Sequence, residues 1–144
     1  MKINKIHHVA VICSNYEVSK KFYTEILGLK VIREVYREER ESYKLDLELG
    51  DSQIELFSFK NAPERGSYPE ARGLRHLAFE VDDIEEAVRY LESNGVKCEP
   101  IRIDEFTLRK FTFFEDPDKL PLELYEKYNV ILLGKGSNSI FTMK

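Results

Sequence analysis

Apolar residues fall on alternate positions in several short stretches of the chain, and two longer stretches carry the wider spacing of a helix. Residues 5–12 alternate and run into Ser14 and Asn15, a strand followed by the residue types that start helices. Val18, Phe22 and Ile26 then recur four apart, the stripe of an amphipathic helix, and Gly28 closes it as a C-terminal glycine. Residues 29–36 read as the next strand. Tyr43, Leu45, Leu47 and Leu49 alternate with polar partners, as a half-buried strand should. Gly50, Asp51 and Ser52 supply a turn, and residues 53–59 the returning strand.

The same order then begins again. Residues 76–81 read as a strand, Asp82 or Asp83 caps a helix with the stripe Ile84, Val88 and Leu91, and Gly95 ends it. Residues 96–103 and 109–114 are strands, Asp116-Pro117-Asp118 is a turn, and residues 120–126 complete the set. Each half is β-α-β-β-β. Residues 60–73, with Pro63, Gly66, Pro69 and Gly73, connect the halves. The fold class is α+β, one domain over residues 1–127 made of modules at about 5–59 and 74–127. Residues 128–144 form a C-terminal extension that reads as an edge strand, a packing tail or a disordered end.

The halves also match residue by residue. A shift of 68 carries His8 onto His76 and Glu55 onto Glu123. The flanks agree: His8-Val9-Ala10-Val11 lies over His76-Leu77-Ala78-Phe79, and Ile54-Glu55-Leu56-Phe57 over Leu122-Glu123-Leu124-Tyr125. The histidine match is the stronger one, because the chain holds only three His among 144 residues.

Composition narrows the function. Nine Phe and eight Tyr give the chain enough apolar surface to bury, which argues against disorder. With 22 Lys and Arg against 26 Asp and Glu, the net charge is −4, which argues against nucleic acid as a partner. There is no apolar stretch of membrane-spanning or leader length, so the expected compartment is the cytoplasm, with no membrane partner. Cys13 and Cys98 form no CxxC and read as two small buried hydrophobes.

Strand alternation places the candidate chemistry. Val9 and Val11 face the helix, so His8, Ala10 and Ile12 face the other way; Leu77, Phe79 and Val81 face the helix, so His76 and Ala78 do not. Glu55 sits between Ile54 and Leu56, and Glu123 between Leu122 and Leu124, again on the far face. Two imidazoles and two carboxylates thus share the side of the sheet away from the helices. Taken singly, such residues are more often structural. Taken as a set related by one shift, they call for a compensating cation, because ionised carboxylates embedded in apolar sequence are costly. Imidazole and carboxylate together suit Zn, Ni, Co, Fe or Mn as a divalent ion, with room in the shell for two oxygens of a substrate. His7 falls on the helix side and reads as a structural neighbour of His8, not a ligand.

On these residues the chain resembles the vicinal-oxygen-chelate superfamily, in particular glyoxalase I (lactoylglutathione lyase) and its bacterial homologues. The likeness covers about residues 5–127: the His8 strand, Phe22-Tyr23 and Leu27-Gly28-Leu29, the Gly73-x-x-His76 entry, and Phe114-x-Asp116-Pro117-Asp118 leading to Leu122-Glu123-Leu124. The resemblance implies two βαβββ modules forming a cupped mixed sheet around one metal held by His8, Glu55, His76 and Glu123. It also implies nickel, cobalt or zinc as the metal, with iron or manganese possible, and a homodimer. The implied reaction moves a proton across an enediolate derived from the hemithioacetal of a 2-oxoaldehyde and a thiol, with Glu123 as first choice of base and Glu55 as second. Phe57, Phe59 and Tyr125 are candidates for an apolar wall, and Arg72 for binding a substrate carboxylate. Where glyoxalases commonly hold glutathione with Arg and Asn, this chain has Ile12 and Phe59, which leaves the thiol open. An epimerase, a thiol transferase, an extradiol-type dioxygenase and a non-catalytic binding relative stand as alternatives.

Overall fold

Each half of the chain closes its own four-stranded mixed sheet. The computed structural model describes residues 1–66 and 71–128. The first half runs β1 (His8–Cys13), α1 (Tyr16–Lys21), β2 (Lys30–Arg37), β3 (Ser42–Leu49) and β4 (Ser52–Ser58). The second runs β5 (Leu77–Val81), α2 (Ile84–Ser93), β6 (Arg102–Ile103), β7 (Lys110–Glu115) and β8 (Pro121–Glu126). The sheet orders are β1-β4-β3-β2 and β5-β8-β7-β6, the same plan twice. In each, the first strand lies parallel to the last and the remaining pairs are antiparallel. This is the tandem βαβββ architecture expected from the sequence. The extension, from residue 129 onward, and residues 67–70 of the connector lie outside the described residues. Among the described residues no helix is long and apolar enough to cross a membrane.

The alternation seen in sequence decides which face is covered. Leu45, Leu47, Ile54, Leu56 and Leu122 are fully buried on the helix side, where each removes its side chain from water. Both helices start as their sequences require: Asn15 Oδ1 accepts from Val18 N at 3.2 Å, and Asp83 Oδ1 from Glu86 N at 2.9 Å. Gly28 and Gly95 follow with φ of +71° and +79°, the left-handed region that glycine adopts without strain.

Two expected elements differ. In the expected helix stripe Phe22 is buried and Ile26 packs against the core, but Val18 is 50% exposed, and the buried face takes in Tyr16, Ser19 and Tyr23 instead. The reason is a wider π turn over Phe22–Ile26, closed by Leu27 N donating to Phe22 O at 2.9 Å, together with stacking of Tyr16 on Tyr43 at 4.2 Å. The strand expected at residues 96–103 is reduced to Arg102–Ile103. Pro100 lacks the N–H a ladder needs, and the approach to β7 is made by Glu99 N donating to Phe113 O at 2.9 Å.

The halves meet where the segments flanking α1, Ser14 before it and the π turn after it, touch the β7–β8 turn. Tyr23, fully buried, donates its hydroxyl to Asp116 Oδ2 at 2.8 Å, and Ser14 N donates to Asp118 Oδ2 at 3.0 Å. Asp116 Oδ1 also accepts from Asp118 N and Leu120 N, so one buried carboxylate organises the turn and ties it to the other half. On the opposite helix, Tyr90 donates its hydroxyl to Ile26 O at 2.7 Å. Cys13 and Cys98 are free and buried, as expected, and burial pushes the Cys13 thiol up to about 11.

Candidate metal centre

Parallel pairing of β1 with β4 sets Ala10 beside Glu55, and pairing of β5 with β8 sets Ala78 beside Glu123. The small alanine leaves each carboxylate free to lean across toward the histidine two residues earlier. His8 Nε2 lies 3.5 Å from Glu55 Oε2, and His76 Nε2 lies 2.9 Å from Glu123 Oε2. His7 does not take the helix side that alternation assigns it. It is exposed, precedes β1, and brings its Nδ1 within 2.9 Å of His8 Nδ1, so it orients the ring that presents Nε2 to Glu55.

The surroundings of the two pairs differ. The Gly50–Asp51 turn puts Asp46 opposite Glu55 and Lys44 opposite Phe57. Lys44 Nζ lies 2.7 Å from Asp46 Oδ1 and 3.2 Å from Glu55 Oε1, and Arg33 Nε 3.4 Å from Asp46 Oδ2. Asp46 above all holds the Lys44 ammonium higher than the usual lysine range. In the second half Phe113 stands opposite Glu123, with its ring edge-on to His76 at 5.1 Å. Arg102 lies over the rings of Phe111 and Phe113 and pairs with Glu99 at 3.0 Å. Burial raises Glu123 above the ordinary glutamate value, opposed in part by the His76 imidazole. A groove of about 930 Å³ opens beside His76 and Phe113, and its lining includes Arg65, Arg75, Lys97 and Arg102.

The chain brings His8 to Glu55 and His76 to Glu123, but not the two pairs to each other. Among the described residues the only three acidic or ligating groups whose ligand atoms all lie within 4.8 Å of one another are Asp83, Glu85 and Glu126. Those carboxylates already serve the start of α2: Glu126 Oε2 accepts from Ile84 N at 3.0 Å, and Glu85 pairs with Lys110 at 2.6 Å. Of the wall candidates, Phe57 and Phe59 stack at 5.8 Å beneath Arg37, next to Glu55. Tyr125 shares the Glu123 face, stacks on Phe111, and donates its hydroxyl to Asp104 Oδ2 at 2.9 Å. Arg72 is exposed in the bend before β5, whereas Arg75 and Arg102 flank His76 in the groove.

Sequence reasoning passed over Lys44, Asp46 and Phe113. The signal for them was present: with a two-residue turn at Gly50–Asp51, strand pairing alone puts position 46 across from 55.

The donor set suits a divalent metal. Neighbouring ligands about 2.1 Å from a common cation stand roughly 3 Å apart. The two observed imidazole–carboxylate separations, 2.9 and 3.5 Å, fall in that range, and Glu123 is a largely buried carboxylate that, among the described residues, is paired with His76 and with no lysine or arginine.

The family model for the Glyoxalase/Bleomycin resistance protein/Dioxygenase superfamily matches residues 5–124. The chain is 60% identical over 126 residues to Uncharacterized protein YaeR of Escherichia coli, covering 87% of this chain and 98% of that protein. It is similar to the crystal structure of a glyoxalase family protein from Enterococcus faecalis, with a TM-score of 0.81 and 53% identity over 88% of this chain and all of that one. More distantly, it is 29% identical to lactoylglutathione lyase of Schizosaccharomyces pombe over 86% of this chain and 48% of that protein.

Proposed function

The chain belongs to the Glyoxalase/Bleomycin resistance protein/Dioxygenase superfamily, and from that premise we propose that it is a metal-dependent lyase of the glyoxalase I type. It converts the hemithioacetal of a 2-oxoaldehyde and a small thiol into a 2-hydroxyacyl thioester. The observation that carries this reading is the recurrence of one imidazole–carboxylate pair at equivalent strand positions in both modules, each pair open on the side away from the helices.

His8, Glu55, His76 and Glu123 would hold one divalent ion. When bound, that ion supplies Lewis-acid stabilisation of charge developing on two adjacent substrate oxygens. Glu123 removes the proton from C1 and returns it to C2, while the C1 hydroxyl proton passes to the C2 oxygen, so the reaction is an isomerisation with no net oxidation. In the metal-free chain burial raises its proton affinity above that of an ordinary glutamate, the direction that favours a base. Glu55 is the second candidate base. Phe57, Phe59 and Tyr125, joined by Phe111 and Phe113, line the reacting face and exclude water. Arg72, with Arg75 and Arg102 nearer His76, suits an acidic group on the thiol portion.

One chain does not unite the four ligands, so the complete set belongs to a homodimer in which the first module of one copy faces the second module of the other. The exposure of the ligand-bearing faces supports this, Ile12 beside the first pair being 54% exposed.

The test is an assay of metal-free protein reconstituted with nickel, cobalt or zinc, using methylglyoxal and a panel of low-molecular-weight thiols. Thioester formation that disappears on chelation and returns with metal is expected. Epimerisation of an acyl thioester, or oxygen uptake with Fe²⁺, in the absence of thioester formation would replace the lyase reading with another activity of the superfamily.

A further inference from the structure

The two modules repeat the ligands but not the residues across from them. Lys44 and Asp46 of β3 stand opposite Phe57 and Glu55, where β7 carries Phe111 and Phe113 opposite Tyr125 and Glu123. Two aromatic positions in one half are an ion pair in the other. The Lys44 ammonium is shared between two carboxylates whose side chains are 4% and 15% exposed, Asp46 at 2.7 Å and Glu55 at 3.2 Å. Glu55 therefore already touches a cation, whereas Glu123 has His76 and an aromatic neighbour.

We propose that Lys44 is a positioning residue that acts as a resident counter-cation at Glu55, competing with the divalent metal for that carboxylate and so setting how tightly the metal is held. The inference rests on the metal centre proposed above. A divalent ion arriving at Glu55 meets a like charge at contact range, in a place where solvent screens weakly. The ammonium must then be drawn off Glu55. It does not leave for solvent, because Asp46 is buried and a buried carboxylate stripped of a partner is strongly unfavourable. Asp46, held from its other side by Arg33 at 3.4 Å, is the parking position. Lys44 thus keeps Glu55 compensated before the metal arrives and remains in the site afterwards.

Removal of the ammonium has two consequences of opposite sign. The metal gains an uncontested Glu55, while the metal-free protein is left with Asp46 dependent on Arg33 and Glu55 on His8. The experiment is calorimetric titration of the metal-free protein with Co²⁺ and Zn²⁺, paired with thermal unfolding with and without metal. The variants are Lys44→Met, Lys44→Arg and the double variant Lys44→Met/Asp46→Asn, which removes the buried carboxylate charge and preserves folding if the single variant does not. Lys44→Met or the double variant is expected to bind metal at least about tenfold more tightly than wild type. Lys44→Met is also expected to unfold at lower temperature when metal-free and to recover at saturating metal, and Lys44→Arg to track wild type. Unchanged or weaker metal binding in both neutral variants overturns the role of Lys44, as does Lys44→Arg behaving like Lys44→Met. A wild-type protein that binds metal while Lys44→Met is unaltered removes only this inference; absence of binding in every form removes the metal centre as well.

Discussion

The first and second modules have one backbone plan and one ligand pair, yet the pairs live in different electrostatic settings. Glu55 is flanked by Lys44, with Asp46 and Arg33 behind it; Glu123 is flanked by Phe113, Phe111 and an arginine stacked on their rings. The shared features are those that backbone pairing determines, namely an alanine beside each carboxylate and a histidine two residues before it. The differing features are side chains projecting from the neighbouring strand, which can change without disturbing the ladder. A repeat in which the imidazole–carboxylate positions match and their neighbours diverge separates what the proposed metal centre would require from what tunes each carboxylate.

The division of labour between the two carboxylates can be broken most sharply by Glu123→Gln. Turnover in the reconstituted assay is expected to fall about 10²–10⁴-fold, the range for loss of a general base. Undiminished turnover in that variant would transfer the role to Glu55. Next in size is a test of whether the two cores contribute equally. Leu56 and Leu124 are equivalent in the repeat and are 0% and 5% exposed. Truncation of each to alanine is expected to cost about 2–5 kcal/mol in denaturant unfolding. A loss confined to one of them would show that a single module carries the stability.

A smaller effect concerns the junction between modules. Tyr23→Phe removes the buried hydroxyl that Asp116 accepts from, at an expected cost of about 1–3 kcal/mol. Tyr90→Phe, which loses an exposed bond to Ile26 O, is expected to cost about 1 kcal/mol or less. Equal losses would refute the view that the Asp116 contact is the principal polar tie.

The smallest effect is a pH dependence at the same place. Burial raises Asp116 above the ordinary aspartate value, so the folded chain binds its proton more tightly than the unfolded chain. Its contribution to stability is therefore most favourable below the ordinary aspartate value and declines as pH rises to the raised one. Asp116→Asn lacks that ionisation. The stability difference, variant minus wild type, should shift in favour of the variant as pH rises through that window, measured by urea unfolding at stepped pH. A difference independent of pH would show that Asp116 does not titrate there.

Much of this was readable along the chain because strand and helix periods are local. Alternation around His8, Glu55, His76 and Glu123 assigned each to the side away from the helices, and the 68-residue shift linked them. Local period failed where a non-local contact outweighed it. Val18 has the apolar character of a core residue, but stacking of Tyr16 on Tyr43 and the π turn after Lys21 rotate the helix so that Tyr23 is buried instead. Residues 96–101 carry a strand-like composition, but Pro100 interrupts the ladder and a single backbone bond from Glu99 replaces it. Lys44 and Asp46 looked like the solvent face of an alternating strand; pairing across the Gly50–Asp51 turn sets them beside Glu55 on the face of the proposed site.

The amino-acid sequence by itself determined the two modules, the buried face of each sheet and the side of the sheet that carries each histidine and glutamate, because all of these follow from period, turn length and a repeated motif. Tertiary structure alone decided that the two imidazole–carboxylate pairs stand apart within one chain. The halves dock through hydrogen bonds from Tyr23 to Asp116 and from Tyr90 to Ile26, and that docking does not bring one imidazole–carboxylate pair to the other. Which surfaces of two modules meet depends on shape and on satisfying buried polar groups across a distance, and neither is encoded in the spacing of residues along a strand.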